Sequence, residues 1–518
     1  MESDFARSLK RLVFYAAPVL FLFIVLFLDL DPERPDVTYT LAVALLMALW
    51  WVTEVIPLAV TSLLPLILFP MFGVMNGKLV ASNYFNDIIF LFLGGFLFAL
   101  AMQKWDLHRR IALKLLITVG SSPSRIMLGF MLATGFLSMW ISNTATTMLM
   151  VPILMSIIIK LEEVNKGKDI SGFTTGLLLA VAYSASIGGI STLVGTPPNL
   201  SFARIFEIYF PDAPEISFAA WFLYAFPIVI CLFAITFLYL NLVFLRRRKK
   251  QWISVDNSSI QSEYQDMGPW TRAQKIIGVL FMLLAVLWFT RSDLNLGSFS
   301  LSGWASLFPE PKYINDGTVA IAISILLFLI PAKTNQPTGN LSHNQGFLMD
   351  WKTAERVPWD IILLFGGGFA LASGFKESGL SAWFGEQLIW LKDVHPFIIV
   401  LSIALIITFL TELTSNVATV ETFLPVLSGL AISVEFNPLF FMLPATIAAS
   451  LAFMLPSATA PNAIVFGTRR LKVLDMSRTG LFLNLIGVVV VTLATYYLAT
   501  FIFQIEPGVF PEWAQSNH

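Results

Sequence analysis

The chain is poor in charge. Of its 518 residues only 13% are Asp, Glu, Lys or Arg, while 57% are hydrophobic and the formal net charge is −1. A soluble domain carries about twice that charged fraction. No basic stripe with interleaved aromatics is present, so nothing points to nucleic acid. Cysteine is nearly absent: Cys231 stands alone, which excludes an internal disulfide and a Cys metal site. The four histidines, His108, His343, His395 and His518, are scattered without metal-ligand spacing. There is no H-E-x-x-H pair, and no histidine neighbours a serine in an apolar tract to act as its base. An intramembrane hydrolase or transferase therefore has no candidate machinery.

What the chain does have is long apolar runs. Leu12–Leu30, Phe218–Leu245 and Leu481–Phe503 approach or exceed the roughly 20 residues that cross a bilayer as a helix. The mean hydropathy is positive. The expected class is an all-α polytopic membrane protein. The charged start Met1–Lys10 runs into the first apolar tract without an A-x-A pattern, which reads as a retained span and not a cleaved signal.

Breaks and charges set an expected topology. Arg7, Lys10 and Arg11 place the N-terminus in the cytoplasm. Leu41–Val74 is too long for one crossing and divides near Trp51–Pro57 into two. Ile88–Lys104 returns the chain inside, where His108, Arg109, Arg110, Lys114 and Arg125 follow; Leu107–Val119 is amphipathic and lies along the interface. Ile126–Ile141 and Ala145–Leu161, arms of about 16 residues, form a re-entrant hairpin from the cytoplasm, followed by the charged Glu162–Asp169. Gly172–Tyr209 crosses outward with an interruption at Gly195–Asn199, and Phe218–Leu245 crosses back to Arg246-Arg247-Arg248-Lys249-Lys250. After the polar linker Gln251–Pro269, Ile276–Thr290 crosses out and Gly317–Ile330 crosses in to the loop Lys333–Arg356. Ile361–Phe375 then starts inside, His395–Ile432 forms a hairpin from the outer face, and Pro438–Val473 is a second broken helix ending at Arg469, Arg470 and Lys472. Leu481–Phe503 leaves the C-terminus outside. The sum is eleven crossings and two opposed re-entrant hairpins.

The two halves repeat. Ser142-Asn143-Thr144 returns 273 residues later as Ser415-Asn416-Val417, and the same offset aligns Ile88–Met102 with Ile361–Phe375 at 8 of 15 positions. It also sets Pro152 on Pro425. A second polar break follows each copy, Gly195-Thr196-Pro197-Pro198-Asn199 and Ala458-Thr459-Ala460-Pro461-Asn462. Since Ile88 starts outside and Ile361 inside, the repeat is inverted. Unwound backbone at membrane depth must line a cavity or be buried in protein, and paired broken helices build central ligand sites in carriers.

The chemistry of these breaks is specific. Half-helix N-termini suit anions, and the opposite ends offer carbonyl oxygens to a small hard cation. Asn143 and Asn416 can both accept and donate. Ser138 and Thr411 lie one turn before the Ser-Asn pairs and share a face with Ser142 and Ser415. None of the four breaks holds a Lys or Arg. A bound anion must then be neutralised by bound cations, because an unpaired buried carboxylate costs several kcal/mol; that links the two bindings and gives symport.

Together, Trp50-Trp51-Val52-Thr53-Glu54-Val55-Ile56-Pro57, the paired Ser-Asn-Thr and Ser-Asn-Val, and Gly-Thr-Pro-Pro-Asn resemble the divalent anion/sodium symporter family of dicarboxylate, citrate and sulfate carriers. The resemblance covers nearly the whole chain. It implies an elevator-type homodimer with scaffold parts at 1–122 and 272–393, transport parts at 123–250 and 394–518, and a linker at 251–271. It implies sodium sites at Ser138, Ser142, Asn143 and Gly195, and at Thr411, Thr414, Asn416 and Ala458, so two or more Na+ ions. Substrate contacts would come from Asn143, Thr144, Thr196, Asn416 and Thr459, with Val417 where a second threonine is expected. The function implied is sodium-coupled import of C4-dicarboxylates such as succinate, malate or fumarate across the cell membrane. A sodium-independent exchanger and a citrate or sulfate carrier are the alternatives, and a channel is a third class. Ala460 in place of the first break's Pro197 puts the local backbone in question.

Other residues carry blander expectations. The glycines Gly94, Gly95 and Gly366–Gly368 read as packing positions, Asp87 and Asp360 as N-caps, and Trp50 and Trp51 as interfacial anchors. Glu412 and Glu421, which have no acidic counterpart in the first half, read equally as a structural salt bridge or as proton or substrate coupling groups.

Overall fold

In the computed structural model, residues 4–120, 122–164, 170–245, 258–296, 299–332, 346–506 and 508–515 are described. The Arg246–Lys250 cluster, His343 and His518 lie outside them, as do parts of the linker and of the Lys333–Arg356 loop. The described chain is helical apart from a short antiparallel pair, Leu294–Leu296 with Phe299–Leu301, which the sequence reading did not anticipate. Among the described residues, ten helices are long and apolar enough to cross a membrane, and shorter apolar helices stand among them.

The helix ends follow local chemistry. Pro35–Thr53 stops at Glu54, whose φ of 48° and ψ of 43° are left-handed, and the chain resumes at Leu58 after Pro57. This is where the long apolar tract was expected to divide. Trp51, however, is not an interfacial anchor: it is fully buried, and its indole N–H points at Ser62 Oγ (3.2 Å) and Leu58 O (3.4 Å). Nor does Asp87 cap its helix. Asn86 is the cap, accepting from Ile89 N at 3.1 Å, and Asp87 occupies the first turn, where a carboxylate faces the positive helix end. Asp360 likewise lies inside the first turn of Trp359–Ser378, after Pro358.

The first hairpin consists of Pro123–Ser138 and Asn143–Val164, the second of Pro396–Leu410 and Asn416–Ser433. The first incoming arm, at 16 residues, matches the expected length, but the first outgoing arm runs 22 residues, longer than its apolar tract suggested. The first broken helix is Ser171–Gly189 followed by Pro197–Tyr209, and the second is Leu439–Ala448 followed by Ala460–Gly467. Each break thus begins earlier than its sequence motif, and the Pro-Asn that ends each motif already belongs to the next half-helix.

These eight pieces exchange contacts reciprocally. The outgoing arm of the first hairpin packs on Ala460–Gly467, and that of the second packs on Pro197–Tyr209. The incoming arms pack on the first halves of their own broken helices, Ser171–Gly189 and Leu439–Ala448. Such an exchange is what two repeats related by a pseudo-twofold axis require. Around it, Asp87–Lys104 lies tightly on Asp316–Leu329, where a methyl on Gly94 would meet the Ala320 backbone. Small residues at helix contacts allow such approach in membranes.

Candidate functional site

The two hairpin tips build the same contact twice. Ser138 Oγ lies 2.5 Å from Asn143 Oδ1 and 2.7 Å from the Ala185 carbonyl. Thr411 Oγ1 lies 2.7 Å from Asn416 Oδ1 and 2.8 Å from the Ala449 carbonyl. Each hydroxyl is fully buried and owns one hydrogen, yet faces two acceptor oxygens. Gly195 joins the first cluster: a methyl on Gly189 would fall between Asn143 Oδ1 and the Gly195 carbonyl, 3.1 Å from the latter. These are oxygen-rich, hydrogen-poor niches, the donor set a hard cation takes.

Not every expected ligand points there. Ser142 Oγ accepts from Ala145 N at 3.3 Å, capping the outgoing arm. Thr414 Oγ1 turns to Leu410 O and to Thr419 Oγ1, at 3.1 and 2.5 Å. The carbonyls of Ala185 and Ala449 were missed from sequence, since a backbone oxygen leaves no mark in residue type.

The broken helices are held open by a repeated staple. Asn199 Nδ2 donates to Thr192 O (2.7 Å) and Gly189 O (3.2 Å), seven and ten residues back. Asn462 Nδ2 donates to Leu455 O (3.0 Å) and Ala452 O (3.1 Å), at the same separations. Both amides thereby satisfy carbonyls that the break frees from the helix ladder. The substitution of Pro197 by Ala460 leaves the backbone shape intact: Thr196 has φ −144° and ψ 140°, and Thr459 has φ −139° and ψ 152°. Thr459 Oγ1 compensates by capping Asn462 N at 3.3 Å.

Tips and breaks converge on one cavity of about 540 Å³. Ser142, Asn143 and Thr144 line it from one hairpin and Thr414–Val417 from the other, with Gly195, Thr196, Ala458 and Thr459 from the breaks. The remaining wall includes Val52–Glu54, Phe92, Phe96 and Ile361. Lys10 is the one basic side chain among the lining residues; it comes from the first helix, which sequence reasoning had not connected with the site. A larger cavity, about 830 Å³, lies among Asp87, Glu207, Glu215 and Asp316 and touches neither tip, so size alone does not identify the site.

Neither Glu412 nor Glu421 forms a salt bridge among the described residues. Glu412 accepts backbone N–H bonds from Phe453, Met454 and Leu455 at 2.7–3.0 Å and one from Asn484 Nδ2 at 2.7 Å. It ties the second tip to the second break, with its carboxyl oxygens satisfied by four donors. Glu421 accepts from Ser201, and its second oxygen is unpartnered.

Comparison with known proteins agrees over almost the full length. A family model described as the sodium:sulfate symporter transmembrane region matches residues 9–503. A Staphylococcus saprophyticus protein named sodium-dependent dicarboxylate transporter SdcS is 42% identical over 485 residues, covering 93% of this chain and 90% of its own. A Staphylococcus aureus protein of the same name is 41% identical over 514 residues, covering 97% and 95%. Among solved structures, the Alcanivorax borkumensis YdaH transporter shares the fold, with a TM-score of 0.51 over 81% of this chain and 87% of that one, at 13% identity.

Proposed function

We infer that this chain, which belongs to the sodium:sulfate symporter family, is a sodium-coupled carrier of dicarboxylate anions. The observation that carries the reading is the pair of niches at Ser138–Asn143–Ala185 and Thr411–Asn416–Ala449. A sodium ion in each satisfies the oxygens that a single hydroxyl hydrogen leaves facing one another. The two cations sit beneath the half-helix N-termini and side-chain amides that line the cavity, and together they offset a divalent anion. A C4-dicarboxylate such as succinate, malate or fumarate spans the gap between the two tips, one carboxylate toward Asn143, Thr144 and Thr196, the other toward Asn416 and Thr459. Val417 sets an apolar limit beside it. The relatives named as sodium-dependent dicarboxylate transporters support this choice over citrate, sulfate or a sodium-independent exchanger.

Tips and breaks move as one body past the 1–122 and 272–393 parts, in an elevator motion within a homodimer. The hairpins re-enter from opposite faces, with the N-terminus cytoplasmic and the C-terminus outside. Contacts between distant segments support that topology, because they join segments assigned to one side. Lys104 pairs with Asp350, Arg109 with Glu263 and Arg470 with Glu162 on the inner side. On the outer side Arg291 joins Asp316 and Glu215, and Arg34 reaches the Glu377 carbonyl. Lys10 on the cavity wall supports an opening toward the cytoplasm in this state.

Thermal unfolding of the purified protein tests the linkage. Succinate raises the midpoint when sodium is present and leaves it unchanged in choline. Equal stabilisation in both salts contradicts coupled binding.

A further inference from the structure

Glu421 stands on the outgoing arm of the second hairpin, one turn beyond Val417, and is fully buried. Its Oε1 accepts a hydrogen bond from Ser201, on the second half of the first broken helix, and its Oε2 has no partner. The carboxyl group occupies the space that Gly368 leaves open: a methyl on that glycine would coincide with it. Gly368 lies on Trp359–Ser378, in the scaffold part, whereas Ser201 and Glu421 lie in the transport parts. The carboxyl therefore sits in the seam between them.

No counter-charge reaches it among the described residues. On Pro197–Tyr209, Arg204 is engaged with Asp87 and Glu207, and Tyr209 with Ser381 and the Ala372 carbonyl. On Trp359–Ser378, Asp360 and Glu377 are themselves acids, and Lys376 donates to the Ile208 carbonyl. The other packed helices offer Glu386 from Leu380–Gln387 and Asp36 and Tyr39 from Pro35–Thr53, none of them a cation, and Leu439–Ala448 has no titratable residue. An ionised carboxylate held by one hydroxyl and no cation is more costly than a neutral acid with one unmade hydrogen bond. The repeat isolates the feature further. The first-half counterpart of Glu421 is the exposed Met148, and Gly95, counterpart of Gly368, faces Val194.

We propose that Glu421 is a proton site at the seam: it is a neutral carboxylic acid when seated against Gly368 and gives its proton to water when the hairpin arm leaves that glycine. Reseating takes a proton back, so the scaffold–transport motion carries a proton equilibrium besides its cargo. The neutral-acid claim stands on the geometry above; the release step rests on the reading that the two parts move past one another.

Infrared difference spectra of the purified protein at neutral pH test the first claim without any transport. Wild type minus Glu421→Gln shows the carbonyl band of a protonated carboxylic acid. Ser201→Ala, which keeps the acid and removes its hydrogen bond, moves that band to higher frequency. Carboxylate bands in place of the acid carbonyl overturn the proposal, as does a spectrum indifferent to both substitutions. Fumarate uptake tests the second claim, because fumarate stays fully ionised from neutral to alkaline pH. Wild-type uptake falls by up to about tenfold per pH unit once Glu421 titrates, and Glu421→Gln is flat over that range; a Gln variant that follows the wild-type curve overturns the coupling. A wild type that carries no fumarate sinks the transport reading and leaves the spectral result standing.

Discussion

Thr411 Oγ1 stands 2.7 Å from Asn416 Oδ1, and Ser138 Oγ makes the equivalent approach to Asn143 Oδ1 at 2.5 Å. In both copies a helical carbonyl, Ala449 or Ala185, is the third oxygen. A hydroxyl and an amide in two different halves of the chain thus make one local geometry twice, the arrangement from which we infer a cation at each.

Removing that hydroxyl is expected to weaken the proposed cation binding and to spare the fold. Ser138→Ala and Thr411→Ala are each expected to raise the sodium concentration for half-maximal uptake by roughly tenfold, about 1.4 kcal/mol of binding. Thr411→Ser keeps the oxygen and is expected to remain near wild type. Sodium titrations of labelled succinate uptake check all three.

On the proposed reading the amides serve both cation and anion. Asn143→Ala and Asn416→Ala are each expected to abolish uptake while the protein still elutes as a single folded species in detergent. Uptake retained by both variants contradicts a shared central site.

Asn416 lines the cavity, whereas Asn462 does not and instead staples the second break. Asn462→Ala leaves the Ala452 and Leu455 carbonyls without their donor, at a cost of about 1–3 kcal/mol for each buried group left unsatisfied. The melting midpoint of the Asn462 variant is expected to drop well below that of Asn416→Ala, measured in the same detergent without ligand.

Val417 is where the two tips differ. It is buried and lines the same cavity as Thr144. Val417→Thr adds one hydrogen-bonding group and is expected to change the relative inhibition by succinate, citrate and sulfate several-fold, with sodium half-saturation unchanged. A shift in the sodium dependence alone places Val417 on the cation side instead.

Much of the site was legible in the sequence because the repeat marks it: Ser-Asn after Ser or Thr, then Pro-Asn at the second break, in both halves. Ala460 looked like a threat to that symmetry, but Thr459 supplies by side-chain capping what Pro197 supplies by its ring. What stayed hidden belongs to tertiary packing. The Ala185 and Ala449 oxygens have no side-chain signature. Trp51 reads as an interfacial aromatic until Ser62 is found beside it, and Asn86 takes the cap from Asp87 because it stands one residue earlier. Glu412 and Glu421 look alike in a string of letters. One is answered by three backbone N–H groups and an amide, the other by a single serine.

The most direct test of coupled transport is uptake of labelled succinate into proteoliposomes under an inward sodium gradient, against the same vesicles with choline replacing sodium. The account predicts accumulation above equilibrium with sodium and only background counts with choline. Equal uptake in the two salts would contradict it.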